Sequence, residues 1–274
     1  MTQPVKTVEA LRRSVAQIDG RQERLSIQSD NAQLTFGIKD IDSLIGCGLA
    51  LDDMHELRCS QSRDLACMAG FLLGLLLRLN TQRPVICISE PSARLDTGRI
   101  FPDGASYFGF DTSRLVHITP IHLKDAFWAT GEAVRSGGSA AVMFHLKGNP
   151  QSFDLSISRK LMLRAQTSGT PLFIVRQAGE EETSSASTRW HIKPETSLPD
   201  QAFTKGVGQM RLTLTLEKNR NGQLGRWPIA WNPQTRSFNH VKESPDTTHS
   251  VLPVHSSAYR PHRSSETGKF VASG

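Results

Sequence analysis

Three short, unbroken apolar runs constrain this chain more than anything else in it: Pro84–Glu90 (PVICISE), Ala140–His145 (AAVMFH) and Pro171–Val175 (PLFIV). A strand with one wet face alternates apolar and polar residues, whereas a strand covered on both faces does not. The runs therefore belong in a parallel sheet sandwiched between helices, and the segments between them supply the helices. Lys124–Ser136 turns Ala126, Phe127, Ala129, Ala133 and Val134 inward, and Leu155–Gln166 carries Arg159, Lys160 and Arg164 outward before Gly169 closes it. With Arg114–Ile118 as another strand and Tyr107–Asp111 as a turn, the rhythm predicts an α/β fold, a mostly parallel sheet covered by helices.

Leu51–Asn80 carries the most informative loop. It reads as a strand (Met54–Arg58), a tight polar loop (Cys59–Arg63) and a long apolar core helix (Asp64–Leu79). That is the layout of a phosphate-binding P-loop, whose pattern is G-x-x-x-x-G-K-[ST]. Every defining position departs from it: Cys59 and Asp64 stand at the glycines, Leu65 at the lysine and Ala66 at the metal-binding hydroxyl. A P-loop works through backbone N–H groups, a helix N-terminus, a lysine charge and a hydroxyl on the metal. Leu65 brings no charge, Ala66 no ligand, and Asp64 sets a carboxylate where the anion would sit. The loop is expected to bind no triphosphate, with Asp64 simply starting the helix. The apolar stretch Leu65–Leu77 is also too short for a membrane span of ~20 residues.

The 274 residues suffice for an α/β core of about 200 residues with tails to spare. Met1–Val15 lacks an apolar signal core, so a cytoplasmic protein is expected. Cys47, Cys59, Cys67 and Cys87 have no CxxC spacing and read as reduced, mostly buried thiols. A net charge of +6, from 32 basic against 26 acidic residues, is too weak a bias to make a DNA binder by itself.

Outside the central rhythm, Leu11, Val15 and Ile18 continue a helical spacing from Val8, giving an amphipathic helix that either packs on its own core or docks a partner. Residues 1–33 are thus a helix and linker, 34–239 the main domain, and 240–274 a disordered tail rich in Ser, Thr, Pro and His. Val251, Leu252 and Val254 are that tail's apolar anchor. Gln177–Arg189 reads as a polar, mobile loop carrying Glu180, Glu181 and Glu182. Met210, Leu212, Leu214 and Leu216 alternate strictly, and with the turn at Asn219–Gly222 and the return strand Trp227–Trp231 they predict a C-terminal antiparallel hairpin.

Taken in order, several segments resemble the RecA-like ATPase core: FGIKDIDSLIGCGL (Phe36–Leu49), the MHEL strand, VICISE ending in Glu90, YFGFDTSRLVHI, SGGSAAVMF and LTLEKNRNG. Within that superfamily the chain looks most like the ImuA family, the RecA-like partner of a bacterial damage-induced mutagenesis cassette. The departed P-loop, LSISRKLMLRAQTSGTPLFIVR and LEKNRNGQLGRWPIAWN favour that family over a recombinase, and the likeness spans roughly residues 34–232.

The resemblance implies a RecA-like core with a degenerate nucleotide site. The acidic residue that closes a strand and helps hold magnesium falls on His145, a poor ligand for a hard cation. Glu90 matches the carboxylate that activates water in RecA-type ATPases, here with nothing to act on. Lys218 and Arg220 fall near basic hairpin positions that reach a neighbouring subunit's nucleotide in RecA filaments; a solvated hairpin tip is the plainer reading. The acidic loop opposes phosphate approach. No cofactor and no catalysis are expected. The implied role is an adaptor helping an ImuB-like Y-family polymerase homologue, a DnaE-type polymerase and RecA assemble on damaged DNA, with indirect DNA contact, no membrane contact and nucleoid association when engaged. The N-terminal helix and tail are the expected partner-binding segments.

Other chemistries find no support. No G-x-S-x-G occurs, and His117 and His122 lack metal-ligand spacing. Two rivals remain: a divergent RecA-like ATPase, marked by tight Mg-ATP binding, and a SulA-type cell-division inhibitor, marked by filamentous growth on overexpression.

Overall fold

Each strand of the central sheet sends alternate side chains to opposite faces, and Pro84–Glu90, Ala140–His145 and Pro171–Val175 are apolar on both, so the middle of the sheet is buried from both sides. The computed structural model describes residues 33–197, 208–220 and 222–241. The expected N-terminal helix with Leu11, Val15 and Ile18, and the tail with Val251, Leu252 and Val254, lie outside the described residues.

A small antiparallel pair, Gln33–Leu34 (β1) and Leu49–Ala50 (β2), brackets the short helix Lys39–Leu44 (α1). There follow Met54–Arg58 (β3), Leu65–Leu76 (α2), Val85–Ser89 (β4), Pro91–Thr97 (α3), Pro102–Tyr107 (α4), Leu115–Ile118 (β5) and Leu123–Arg135 (α5). The second half comprises Ala141–Lys147 (β6), Leu155–Ser168 (α6), Leu172–Gln177 (β7), Thr188–Glu195 (β8), Arg211–Asn219 (β9), Gly225–Asn232 (β10) and Ser237–His240 (β11). The main sheet has nine strands in the order β11-β10-β9-β8-β3-β7-β6-β4-β5. From β8 through β5 the neighbours run parallel. β9, β10 and β11 continue the sheet antiparallel. The chain therefore has the expected fold, a mostly parallel sheet flanked by helices with a C-terminal antiparallel hairpin.

Cys87, Met143, Phe173 and Val175 point to the face covered by α2; Ile88, Val142, Phe144 and Ile174 point to the face covered by α5 and α6. The antiparallel end contributes to the α2 side alone, through Leu212, Leu214, Leu216, Trp227, Ile229, Trp231 and Phe238. Helix α2 approaches this end closely because Gly74 lacks a side chain: a Cβ there would stand 2.9 Å from both Trp231 and Phe238. Asp154 caps α6 by accepting from Ile157 N at 2.8 Å, and Gly169, left-handed at φ 68°, ends it as expected.

Four features differ from the sequence reading. The helices α3 and α4 replace an irregular stretch; each begins at a proline, Pro91 and Pro102, whose missing N–H costs nothing at a helix start. β8 was not expected, although Trp190 and Ile192 alternate with His191 and Lys193; Pro194 near its end obscures the pattern. β11 adds a further strand to the hairpin. The loop before β8, read from the sequence as polar and mobile, buries Ser184, Ala186 and Ser187 and bonds Ser184 to Glu56.

Candidate functional site

All six parallel strands end at one edge of the sheet, and the chain leaves β4 in one direction, toward β5, but β6 in the other, toward β7. Ligands of open α/β sheets bind where such crossovers reverse. Ser89 of β4 pairs with His145 of β6 at this point, and Glu90 N–H donates to His145 O at 3.0 Å. The structure thus brings Glu90, His145 and the Cys59–Arg63 loop to the same edge.

The loop is held by its own chain. Cys59 N–H donates to Arg176 O at 3.1 Å, and Gly179 N–H donates to Cys59 O at 3.1 Å. The Cys59 side chain is buried, and burial raises its thiol pKa. Ser62–Asp64 forms a single 3-10 turn leading into α2, and Asp64 makes no side-chain cap; it lies 4.0 Å from Arg63. Leu65 is half-buried, while Ala66 is exposed.

Across the loop runs a connected set of polar side chains. Ser62 Oγ donates to Asp96 Oδ2 at 2.8 Å, and Gln177 Nε2 donates to the same oxygen at 2.6 Å and to Ser62 Oγ at 3.0 Å. Lys147 Nζ pairs with Asp96 Oδ2 at 3.0 Å. Those donors, Lys147 first and then Ser62, hold the Asp96 carboxyl below its ordinary pKa. Gln177 Oε1 faces His145 Nε2 at 2.9 Å and Thr97 Oγ1 at 3.1 Å, so the His145 proton sits on Nε2. Burial keeps that imidazole below its ordinary pKa, hence neutral at pH 7.

Glu90 is 4 % exposed and acts as a cap. Oε1 accepts from Ala93 N at 3.0 Å, from Lys147 N at 3.1 Å and from Ser92 Oγ; Oε2 accepts from Ser92 N at 3.1 Å. The carboxylate closes the N-terminus of α3 and ties it to β6.

A second charged group lies behind the first, inside the sheet. Glu56 of β3 is 1 % exposed and sits between two buried arginines, Arg176 of β7 and Arg189 of β8. It pairs with Arg176 Nε, with Arg189 Nε at 3.3 Å, and accepts from Ser184 Oγ at 2.6 Å. Arg176 also lies 5.0 Å over the Phe153 ring. The excess positive charge is met by two glutamates of the acidic loop: Glu182 lies 3.4 Å from Arg176 Nη2, and Glu181 lies 3.4 Å from Arg189 Nη1. Lys218 donates to Ser184 O; Arg220 donates to Ser185 O at 3.0 Å and lies 3.7 Å from Asp53. Both basic hairpin residues therefore grip the acidic loop within the same chain, where the sequence suggested a solvated tip or a neighbouring subunit.

The sequence reading missed Asp96, Gln177, Glu56, Arg176 and Arg189. Glu56 and Arg176 carried a usable signal, since a charge inside a strand buried on both faces must find a partner. Asp96 and Gln177 carried none; only the fold brings them together. Among the described residues no group of His, Cys, Asp and Glu is arranged to hold a metal ion, and no helix is long and apolar enough to cross a membrane. All four cysteines are free. Neither a protein-family model nor a curated protein matches this chain.

Proposed function

We propose that this chain is a non-catalytic adaptor of the ImuA type. In this reading it works in the cytoplasm, at the nucleoid when engaged, and helps bring an error-prone translesion polymerase assembly to damaged DNA. Its partners are an ImuB-like Y-family polymerase homologue, RecA and, through them, a DnaE-type polymerase. The ordered series of RecA-like segments in the sequence supports the family assignment.

The observation that carries the non-catalytic part is the side-chain network over the degenerate P-loop. A triphosphate there would meet the Asp96 carboxylate, and Gln177 and Ser62 already use their donors on it. Leu65 and Ala66 supply neither charge nor metal ligand. Glu90 has its oxygens engaged by α3 and by Lys147 N. A fold that keeps its core and loses this chemistry retains its surfaces as the means of action, an inference by analogy.

The test is a pull-down of purified ImuB-like protein and RecA by this chain, with and without Mg-ATP. Capture of the ImuB-like protein, unchanged by nucleotide, supports the adaptor. Absence of capture, or ATP hydrolysis by the pure chain, overturns it.

A further inference from the structure

A cleft of about 520 Å³ opens on the α2 side of the sheet, between α2, the α3–α4 segment and the C-terminal halves of β4 and β6. Small-molecule sites run from roughly 300 to 1,000 Å³, so the space suits a ligand larger than a few waters. Its walls are apolar: Leu65, Leu73, Ile100, Phe108, Cys87 and Met143 contribute. Water there would find few partners, and an apolar molecule replacing it would gain burial on both sides.

Room is made by side chains that are small. Ala66 and Ala69 stand three residues apart on the face of α2 that borders the cleft, while the missing side chain of Gly70 admits the Phe108 ring, which a Cβ there would strike. On the opposite wall Gly104 also borders it, and a Cβ at that position would meet nothing within 4 Å.

Polar side chains border the cleft at the strand ends, on its rim and, through His117, in its deeper part. Ser89 and His145 are register partners at the C-terminal ends of β4 and β6; Cys87 and Met143 pair two residues deeper. The Ser89 hydroxyl, in a residue 7 % exposed, has no hydrogen-bond partner among the described residues. His145 donates from Nε2 to Gln177, so its Nδ1 is an acceptor, with no partner among the described residues. Arg63 and Arg99 border the cleft and are exposed, Arg63 lying only loosely beside Asp64 at 4.0 Å, and among the described residues no carboxylate lines the space. His117, at the level of Cys87, borders the deeper part.

We propose that this cleft binds a small, mostly apolar carboxylate, such as a medium-chain or aryl carboxylic acid. Its tail lies along Ala66, Ala69 and Leu73 toward Met143. Its head lies at the strand ends, accepting from Ser89 and paired with Arg63 and Arg99. This inference does not rest on the partner contacts proposed above and holds whether or not they do.

Calorimetry of the full chain with decanoate below its micellar concentration, and with decanol as the uncharged control, tests the site. The expected result is one decanoate per chain, bound at least about tenfold more tightly than decanol. Ala69→Leu and Gly104→Leu fill the space from opposite walls and should each abolish binding while leaving the thermal midpoint unchanged or raised. Arg63→Gln with Arg99→Gln should reduce decanoate to the affinity of decanol. The proposal is overturned by absence of saturable decanoate binding, by equal affinity for decanol, or by unchanged binding in the filled variant that stays folded. Two filling variants are used so that one folded protein remains for comparison.

Discussion

Glu56 shows how a single buried residue can decide stability. Its carboxylate meets both Arg176 and Arg189 inside the sheet. Removing one partner from a buried ion group leaves an uncompensated charge, at a cost of about 3–5 kcal/mol. Glu56→Gln is expected to lower the unfolding free energy by that order in urea titration, whereas Ser184→Ala, which deletes one hydrogen bond to the same carboxylate, should cost about 1 kcal/mol. His55 gives the pH dependence. It is 1 % exposed; Nε2 faces Ala50 O at 2.9 Å and must donate, so Nδ1 accepts from Thr188 Oγ1 at 2.9 Å. Burial pushes its pKa below the ordinary 6.5, with the Ala50 bond acting the other way. The unfolded chain therefore takes up the proton first, and stability is complete above the unfolded pKa and declines as pH falls below it toward the folded value. His117, His145 and His191 are lowered by burial too and add to the decline. Urea midpoints should fall between about pH 7 and about pH 5.5, with a slope of at most about 1.4 kcal/mol per pH unit for each histidine. His55→Gln, whose amide can still donate to Ala50 O, should flatten that slope; an unchanged slope would assign the effect elsewhere.

At the scale of elements, the parallel sheet was legible where its strands are unbroken apolar runs, and β4, β6 and β7 lie where Pro84–Glu90, Ala140–His145 and Pro171–Val175 predict them. The hairpin was legible from the alternation of Leu212, Leu214 and Leu216. β8 was not, because its signal spans only Trp190 and Ile192 before Pro194, yet it joins the parallel and antiparallel parts through pairings with β3 and β9. Trp190 is fully buried against Phe36, 4.9 Å between ring centres, and Trp190→Ala should cost about 3–5 kcal/mol by denaturant titration. The candidate site was legible in part: Cys59, Asp64, Leu65, Ala66, Glu90 and His145 can be aligned to a nucleotide site from sequence, but what the loop does instead depends on Asp96, Lys147 and Gln177, which come from other elements. That dependence makes the loop's chemistry hard to restore. Leu65→Lys with Ala66→Thr returns the missing charge and hydroxyl but leaves the Asp96 network and both absent glycines. Calorimetry with Mg-ATP is expected to show no binding tighter than about 1 mM for this variant, and a tighter complex would mean that the network yields readily to phosphate.

At the scale of the whole molecule, one sheet divides two apolar cores, and every strand from β4 through β7 contributes to both, so neither core can loosen without the other. The charged group around Glu56 crosses from β7 to β8 and binds the acidic loop, which Lys218 and Arg220 hold from the hairpin side. Parallel core, loop and hairpin should therefore unfold together. A fragment spanning residues 33–241 contains all of these contacts, and near- and far-ultraviolet dichroism of it should fall in one coincident urea transition. Two separate transitions would mean that β8 and the buried charges fail to couple the halves. The same fragment separates stability from partner binding. If docking to the ImuB-like partner uses the segments containing Leu11, Val15 and Ile18 or Val251, Leu252 and Val254, the folded fragment loses capture in the pull-down while the full chain keeps it. Capture by the fragment at full strength would move the contact onto the folded domain, where exposed Trp128 and Ile121 on and beside α5 become the first residues to substitute.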